Sequence, residues 1–228
     1  MRWYHLAGVF ALVLLISFLI VQRPEPKLGA TCSEYPEQST IVLPEPDFKG
    51  KTVEDAIEER RSIREYSEGE ISIYELSMLL WAGNGVTGDG LRSAPSAGGL
   101  YPVDLYVIPK RVENLSCGIY RYIPAEHKLV LEKEGEFDLY DASYDQMHAR
   151  NAAVLIALVT TPERTTGKYG TIGNDFVLME TGHISQNILL ESVSLGLGAV
   201  PIGGFEREKV DEVLGLNNTV YIVAIGKT

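Results

Sequence analysis

Glu59-Arg-Arg-Ser-Ile-Arg-Glu-Tyr66 places three guanidiniums, Arg60, Arg61 and Arg64, within five positions, with the Ser62 hydroxyl among them. Arginine presents a planar fork of donors that matches phosphate oxygens, and a hydroxyl can complete the ring of donors. A plainer reading of the same residues is the basic end of a helix, favoured by the helix dipole. The segment runs against its background. The chain has 20 basic and 31 acidic residues and a net charge of −11, so its surface repels nucleic-acid phosphates and no nucleic-acid partner is expected.

With 228 residues and 45% apolar content, the chain is long and apolar enough for one packed domain with appendages. Its two cysteines, Cys32 and Cys117, cannot make a disulfide framework or a zinc site. A single bridge between them stays open for an exported protein; Cys117 is expected as a small buried hydrophobe.

Residues 6–21 are apolar apart from Gly8 and Ser17, and no charge falls between Arg2 and Arg23. The run is just long enough to cross a bilayer as a helix, with Trp3 and Tyr4 at the interface. Residues 1–23 therefore read as a membrane anchor of undetermined orientation; a cleaved secretory signal is the rival. Five prolines within residues 24–50 indicate an extended tether, which puts the folded domain at residues 51–228.

Within the domain, Thr52-Val-Glu-Asp55 opens a helix running to about Arg61, and Ser72-Ile-Tyr-Glu75 is a capping box for a second that ends at Gly83. Gly83-Asn-Gly-Val-Thr-Gly88 fits the dinucleotide pattern G-x-G-x-x-G, but it follows a helix where that motif requires a strand, so it reads as a helix stop and loop. Residues 103–108, 118–123 and 128–132 alternate as strands, the last two as an antiparallel pair. The apolar run 152–160 predicts a strand buried on both faces. Asn174 is the expected cap of a long helix over 175–195, apolar around most of its circumference and suited to a core or a subunit interface. A strand over 199–205, a helix over 206–214 and a strand over 220–225 complete an α/β or α+β layered domain.

Three further segments accompany the arginines. Pro95-Ser-Ala-Gly-Gly99 offers a hydroxyl and backbone that a flat ligand can approach closely. Gln186 and Asn187 are amides on an otherwise apolar helix, and Gly203-Gly204 again bares the backbone. Separately these have ordinary explanations: a turn, a core hydrogen bond, a hairpin bend. In this order, together with Leu-Leu-Trp-Ala-Gly at 79–83, Ala-Pro-Ser-Ala-Gly-Gly-Leu-Tyr-Pro at 94–102, Lys168-Tyr-Gly170, Gly182-His-Ile-Ser-Gln-Asn187, Gly196-Leu-Gly198 and Pro-Ile-Gly-Gly-Phe at 201–205, they resemble the FMN-dependent nitroreductase superfamily, and within it the SagB/ThcOx-type dehydrogenase branch.

The resemblance covers nearly all of residues 51–228. It implies an α+β fold, a mixed and mainly antiparallel sheet flanked by helices, in an obligate homodimer with FMN at each of two subunit interfaces. By position, Arg60, Ser62 and Arg64 would hold the FMN phosphate and ribityl chain, with Arg61 a further member. Pro95, Ser96 and Ala97 would pack at the flavin from the partner subunit. Asn187 would be a ribityl or ring contact, and Gly203 and Gly204 would present backbone to the isoalloxazine edge. Lys168 and Tyr169 match a pair implicated in catalysis in the branch; their plain reading is a solvated loop. Lys227 is the one C-terminal cation left to reach the phosphate. The implied activity is an FMN-dependent oxidoreductase that shuttles hydride through flavin N5 between a small-molecule donor, such as NAD(P)H or an organic substrate, and an acceptor. The alternative is a membrane-tethered flavin-binding or scaffold protein without turnover.

Overall fold

The computed structural model describes residue 35 and residues 38–228. The anchor expected at residues 1–23 lies outside the described residues, among which no helix is long and apolar enough to cross a membrane. The domain is α+β. Seven strands, β1 (Thr40–Val42), β2 (Val103–Pro109), β3 (Gly118–Ile123), β4 (Lys128–Glu134), β5 (Val154–Thr160), β6 (Leu197–Ile202) and β7 (Thr219–Lys227), form one sheet in the order β1-β4-β3-β2-β5-β7-β6.

All six pairings are antiparallel, which corrects the mixed sheet that the resemblance implied. The helical crossover after β5 does return β6 in the same direction as β5. But β7 threads back between the two, so no parallel neighbours remain among these strands.

Every residue of β5 is buried, as its unbroken apolar run requires. Its alternating side chains serve two cores. Val154, Ile156 and Leu158 pack with Leu76, Leu79 and Leu80 of helix α2 (Ile73–Asn84) and with Ile184 and Ile188 of the long helix. Leu155, Ala157 and Val159 face the opposite layer with Val210 and Leu214. The short helix α1 (Val53–Glu59) begins at Thr52, whose hydroxyl accepts from Asp55 N. For α2 the Ser72–Glu75 box forms reciprocally, Ser72 Oγ accepting from Glu75 N and Glu75 Oε2 from Ser72 N.

Residues 40–50, expected as the end of an extended tether, instead wrap the domain. β1 adds to the sheet edge against β4, and Leu43 is buried. Ser77 Oγ donates to Pro44 O at 2.6 Å, and His127 bonds Ser77 Oγ and Tyr122 Oη at 2.7 and 2.8 Å. Phe48 packs on Trp81, and Lys51 N–H donates to Ser194 Oγ. Cys117, just before β3, is disulfide-bonded rather than a free buried hydrophobe.

Two short helices, α3 (Met147–Asn151) and α4 (Glu163–Tyr169), flank β5 in sequence; the long helix α5 (Gly173–Ser194) and α6 (Arg207–Leu214) follow. Asn174 is not the cap of α5: the helix begins a residue earlier, and Asn174 Nδ2 donates back to Thr171 O. One face of α5 is bare rather than apolar all round. Asn174, Asp175, Leu178, Met179, Gly182, His183 and Gln186 are exposed along it. Replacing Ile156 with Ala should cost about 2–5 kcal/mol of unfolding free energy, because the cavity would be closed in by both helices and strands; urea melts of the two proteins measure it.

Candidate active site

The arginine segment is laid along the β6 edge. Ile63 N–H donates to Ala199 O at 3.0 Å, and Tyr66 Oη donates toward Ile63 O and Ala224 O. Small residues allow this approach: a Cβ at Gly198 would lie 2.7 Å from Ile63, and one at Gly226 2.6 Å from Tyr66. With Ile63 turned inward, the alternation of an extended chain leaves Ser62 and Arg64 exposed on either side, next to half-buried Arg60. Arg60, Arg61 and Arg64 form no ion pair among the described residues, although the chain carries 31 carboxylates. Three unpaired guanidiniums on one edge fit an anion.

Arg61 has a second occupation: its Nη1 donates to Glu58 O and Arg60 O at 2.8 and 2.7 Å, capping the end of α1. Lys227 is engaged elsewhere, paired with Glu75 at 2.6 Å. The turn Gly203-Gly204 leaves the same strand, β6, and is exposed. Gln146 fastens it, donating through Nε2 to Gly204 O at 2.7 Å and to Ser143 O. Two residues on, His148 is buried beside Arg64; burial first and that guanidinium second hold its imidazole below the ordinary range. The helix that carries His148 is anchored from below by Lys110 Nζ, which donates to Ala149 O and Arg150 O, and by Arg111, which donates to Asn151 O. Burial lowers the Lys110 pKa to about 8 despite these contacts.

A second group forms around the loop before β2. Ser96 Oγ accepts from Tyr101 N at 2.9 Å, Arg92 stacks 4.3 Å from the centre of the Tyr101 ring, and Arg164 Nη1 donates to Tyr101 O. Pro95 is exposed, and Ser96 and Ala97 are half-buried. Gly98 takes φ +65°, and a Cβ there would lie 2.7 Å from Tyr169 Oη and 2.9 Å from Lys168 Nζ. Lys168 and Tyr169 are thus the last turn of α4, not a solvated loop, with both polar tips against the glycine turn. The Tyr169 ring is held edge-on by Phe176.

Asn187 belongs to a third place. It is half-buried and lines a cleft of about 370 Å³ between α1, the end of α2 and α5, with Trp81, Ser93 and Glu191. Gln186 is exposed. In one chain the loop before β2 and the turn after β6 leave the same end of the sheet but are three strand steps apart, roughly 14 Å.

Gln146, His148, Arg92 and Glu180 belong to these groups and carried no motif in the sequence. Gln146-Met-His148 stands outside every glycine-marked segment. Glu180 reads there as an ordinary helix acid.

An antiparallel α+β domain that pairs an arginine-lined sheet edge with glycine turns defines a class, and the comparisons name it. The Nitroreductase family model matches residues 57–227, and the chain belongs to that family. A protein of Methanocaldococcus jannaschii described as a nitroreductase is 38% identical over 192 residues, which span 82% of this chain and 97% of that one. A crystal structure described as a nitroreductase of Ralstonia eutropha aligns with a TM-score of 0.74 at 28% identity, over 90% of this chain and 97% of that chain. One from Desulfovibrio desulfuricans, described as a nitroreductase in complex with FMN, shares the fold with a TM-score of 0.55 at 22% identity, over 78% of this chain and 87% of that one. Membership makes the chain an oxidoreductase of the nitroreductase type.

Gly98→Ala should destabilise the domain by about 1–2 kcal/mol from its left-handed backbone alone, with a further loss from displacing Lys168 and Tyr169. Thermal melting checks this, and an unchanged transition would mean that the turn relaxes freely.

Proposed function

We propose that this protein is a homodimeric, FMN-dependent oxidoreductase of the SagB-type dehydrogenase branch, tethered to a membrane by residues 1–23. The observation that carries the reading is the arginine edge: three guanidiniums without carboxylate partners among the described residues of a strongly acidic chain. Arg60, Ser62 and Arg64 would hold the FMN phosphate, with Arg61 adding charge at the rim. Gly203 and Gly204 offer exposed backbone for the ring edge, and Asn187 a polar contact at the cleft.

A second subunit is part of this reading. Pro95, Ser96 and Ala97 lie too far from the arginine edge of their own chain to close on the same phosphate end, so a second copy would supply them. The bare face of α5 supports this, with Leu178 and Met179, and Ile172 just before the helix, each more than half exposed. Large exposed apolar side chains grouped on one helix face mark an interaction surface.

Bound FMN would supply hydride acceptance and donation at N5, between a donor such as NAD(P)H or an organic substrate and an acceptor. The chain's own residues position and tune that chemistry. Lys168 Nζ, a cation at the glycine turn, would favour negative charge there, and Tyr169 Oη beside it can hold or pass a proton. The disulfide at Cys117 supports an oxidising, extracytoplasmic side for the domain, because Cys32 in the tether is the chain's one other cysteine.

Purified protein should be yellow and release FMN on denaturation, and anaerobic addition of NAD(P)H or a candidate organic substrate should bleach it. Replacing both Arg60 and Arg64 with Ala should weaken FMN binding about 100-fold or more, from the loss of two charge-assisted contacts. Stoichiometric flavin in that variant would show that the phosphate lies elsewhere, and a colourless dimer that cannot be reconstituted would leave a scaffold without turnover.

A further inference from the structure

Glu180 lies in the middle of α5, 3% exposed, with its Oε1 enclosed and without a hydrogen-bond partner. Two groups act on the carboxyl, the Ser96 hydroxyl and the Arg92 guanidinium, and both are outweighed by burial, which raises its pKa. Arg92 is a divided partner. It stacks on Tyr101, is drawn by Asp104 as well as by Glu180, is opposed by Arg164, and has its own Nη1 buried and unpaired. A carboxylate at this place would leave a charged oxygen dry and without a donor, whereas the neutral acid carries a proton to give.

The Ser96 hydroxyl decides what that proton does. A hydroxyl has one proton and two lone pairs, and one lone pair already accepts from Tyr101 N. If Glu180 were ionised, the single Ser96 proton would be drawn to it. With Glu180 neutral, its O–H fills the second lone pair, and the Ser96 proton is free to leave the loop on the side of Pro95 and Ala97.

We propose that Glu180 is a positioning residue that donates a hydrogen bond to Ser96 Oγ and so turns the Ser96 O–H toward an acceptor atom of the flavin bound against this loop. The inference rests on the flavin reading above and adds to it a residue, outside every sequence motif, that sets the donor direction of a binding hydroxyl.

The test follows FMN affinity, by fluorescence quenching, from mildly acidic to mildly alkaline pH in the full protein. Wild-type affinity should fall about three- to tenfold as Glu180 ionises, the worth of one hydrogen bond. In Glu180→Gln the amide donates at every pH, and the profile should lose that step while keeping the acid-side affinity. Glu180→Ala should be weak throughout, and Glu180→Gln should add nothing on a Ser96→Ala background. Two readouts need no flavin. At the acid end of this range the infrared difference between wild type and Glu180→Gln should contain the carbonyl band of a protonated carboxylic acid, and the band should fade as pH rises. And because the folded state holds this proton more tightly than the unfolded state, wild type should lose stability relative to Glu180→Gln as pH rises from the ordinary glutamate range through the raised one. Parallel affinity profiles in wild type and Glu180→Gln, or no acid band at the acid end of the range, overturn the proposal. An acid band in a protein with no affinity for FMN overturns the flavin reading and, with it, the role toward flavin.

Discussion

The burial of β5 on both faces is the constraint on which the rest of the domain depends. A strand with no solvent side must find apolar partners above and below and backbone partners left and right. β2 and β7 supply the second, β2 over seven consecutive pairs from Val103↔Thr160 to Pro109↔Val154. That register fixes the site as well as the core. The chain enters β2 and leaves β5 at one end of the sheet, where Thr161 N–H donates to Pro102 O. The glycine turn before β2 and the helix after β5 therefore have to meet, and Lys168 and Tyr169 reach Gly98 for that reason. A one-residue slip would exchange the two cores and dissolve the meeting point.

Charge is distributed with equal economy. Most of the cations in this acidic chain are tied to carboxylates or to carbonyls: Lys227 to Glu75, Arg164 to Asp104, Lys110 and Arg111 to the end of α3. The arginines beside β6 have no carboxylate partner among the described residues, although Arg61 and Arg64 donate to nearby carbonyls, and such an edge is a place for an anion. The opposite case is Glu180, an acid withdrawn from water, whose pKa burial raises against the pull of Ser96 and Arg92. Both depart from ordinary surface chemistry, and both border backbone segments rich in glycine. Such local conflicts are where a folded chain departs from its own stability rules for the sake of a ligand.

The distance between the two groups carries its own argument. Strands β5 and β7 stand between the loop before β2 and the turn after β6, which sets the two roughly 14 Å apart. The exposed face of α5 and the separation of the site residues both fit the dimer proposed above.

Much of the fold was legible because its signals are local. The capping box at Ser72, the apolar run of β5, the strand pair 118–134 and the arginine cluster each depend on residues within a few positions of one another. The antiparallel insertion of β7 between β5 and β6 was not legible, since strand order is set by which edge buries best and leaves no mark in either strand. The wrapping of residues 40–50 was hidden for a similar reason: proline-rich composition describes an isolated chain, whereas the open edge of β4 and the Ser77–His127 pair exist only after folding. By itself, then, the sequence determined the elements, the family and the residue types gathered for an anion. Only the tertiary structure decided that Leu43 and β1 close the sheet edge, that Lys227 is spoken for by Glu75, and that Glu180 lies buried beside Ser96. The last two are contacts between segments far apart in the chain, and the burial of Glu180 has no value until the chain has closed over it.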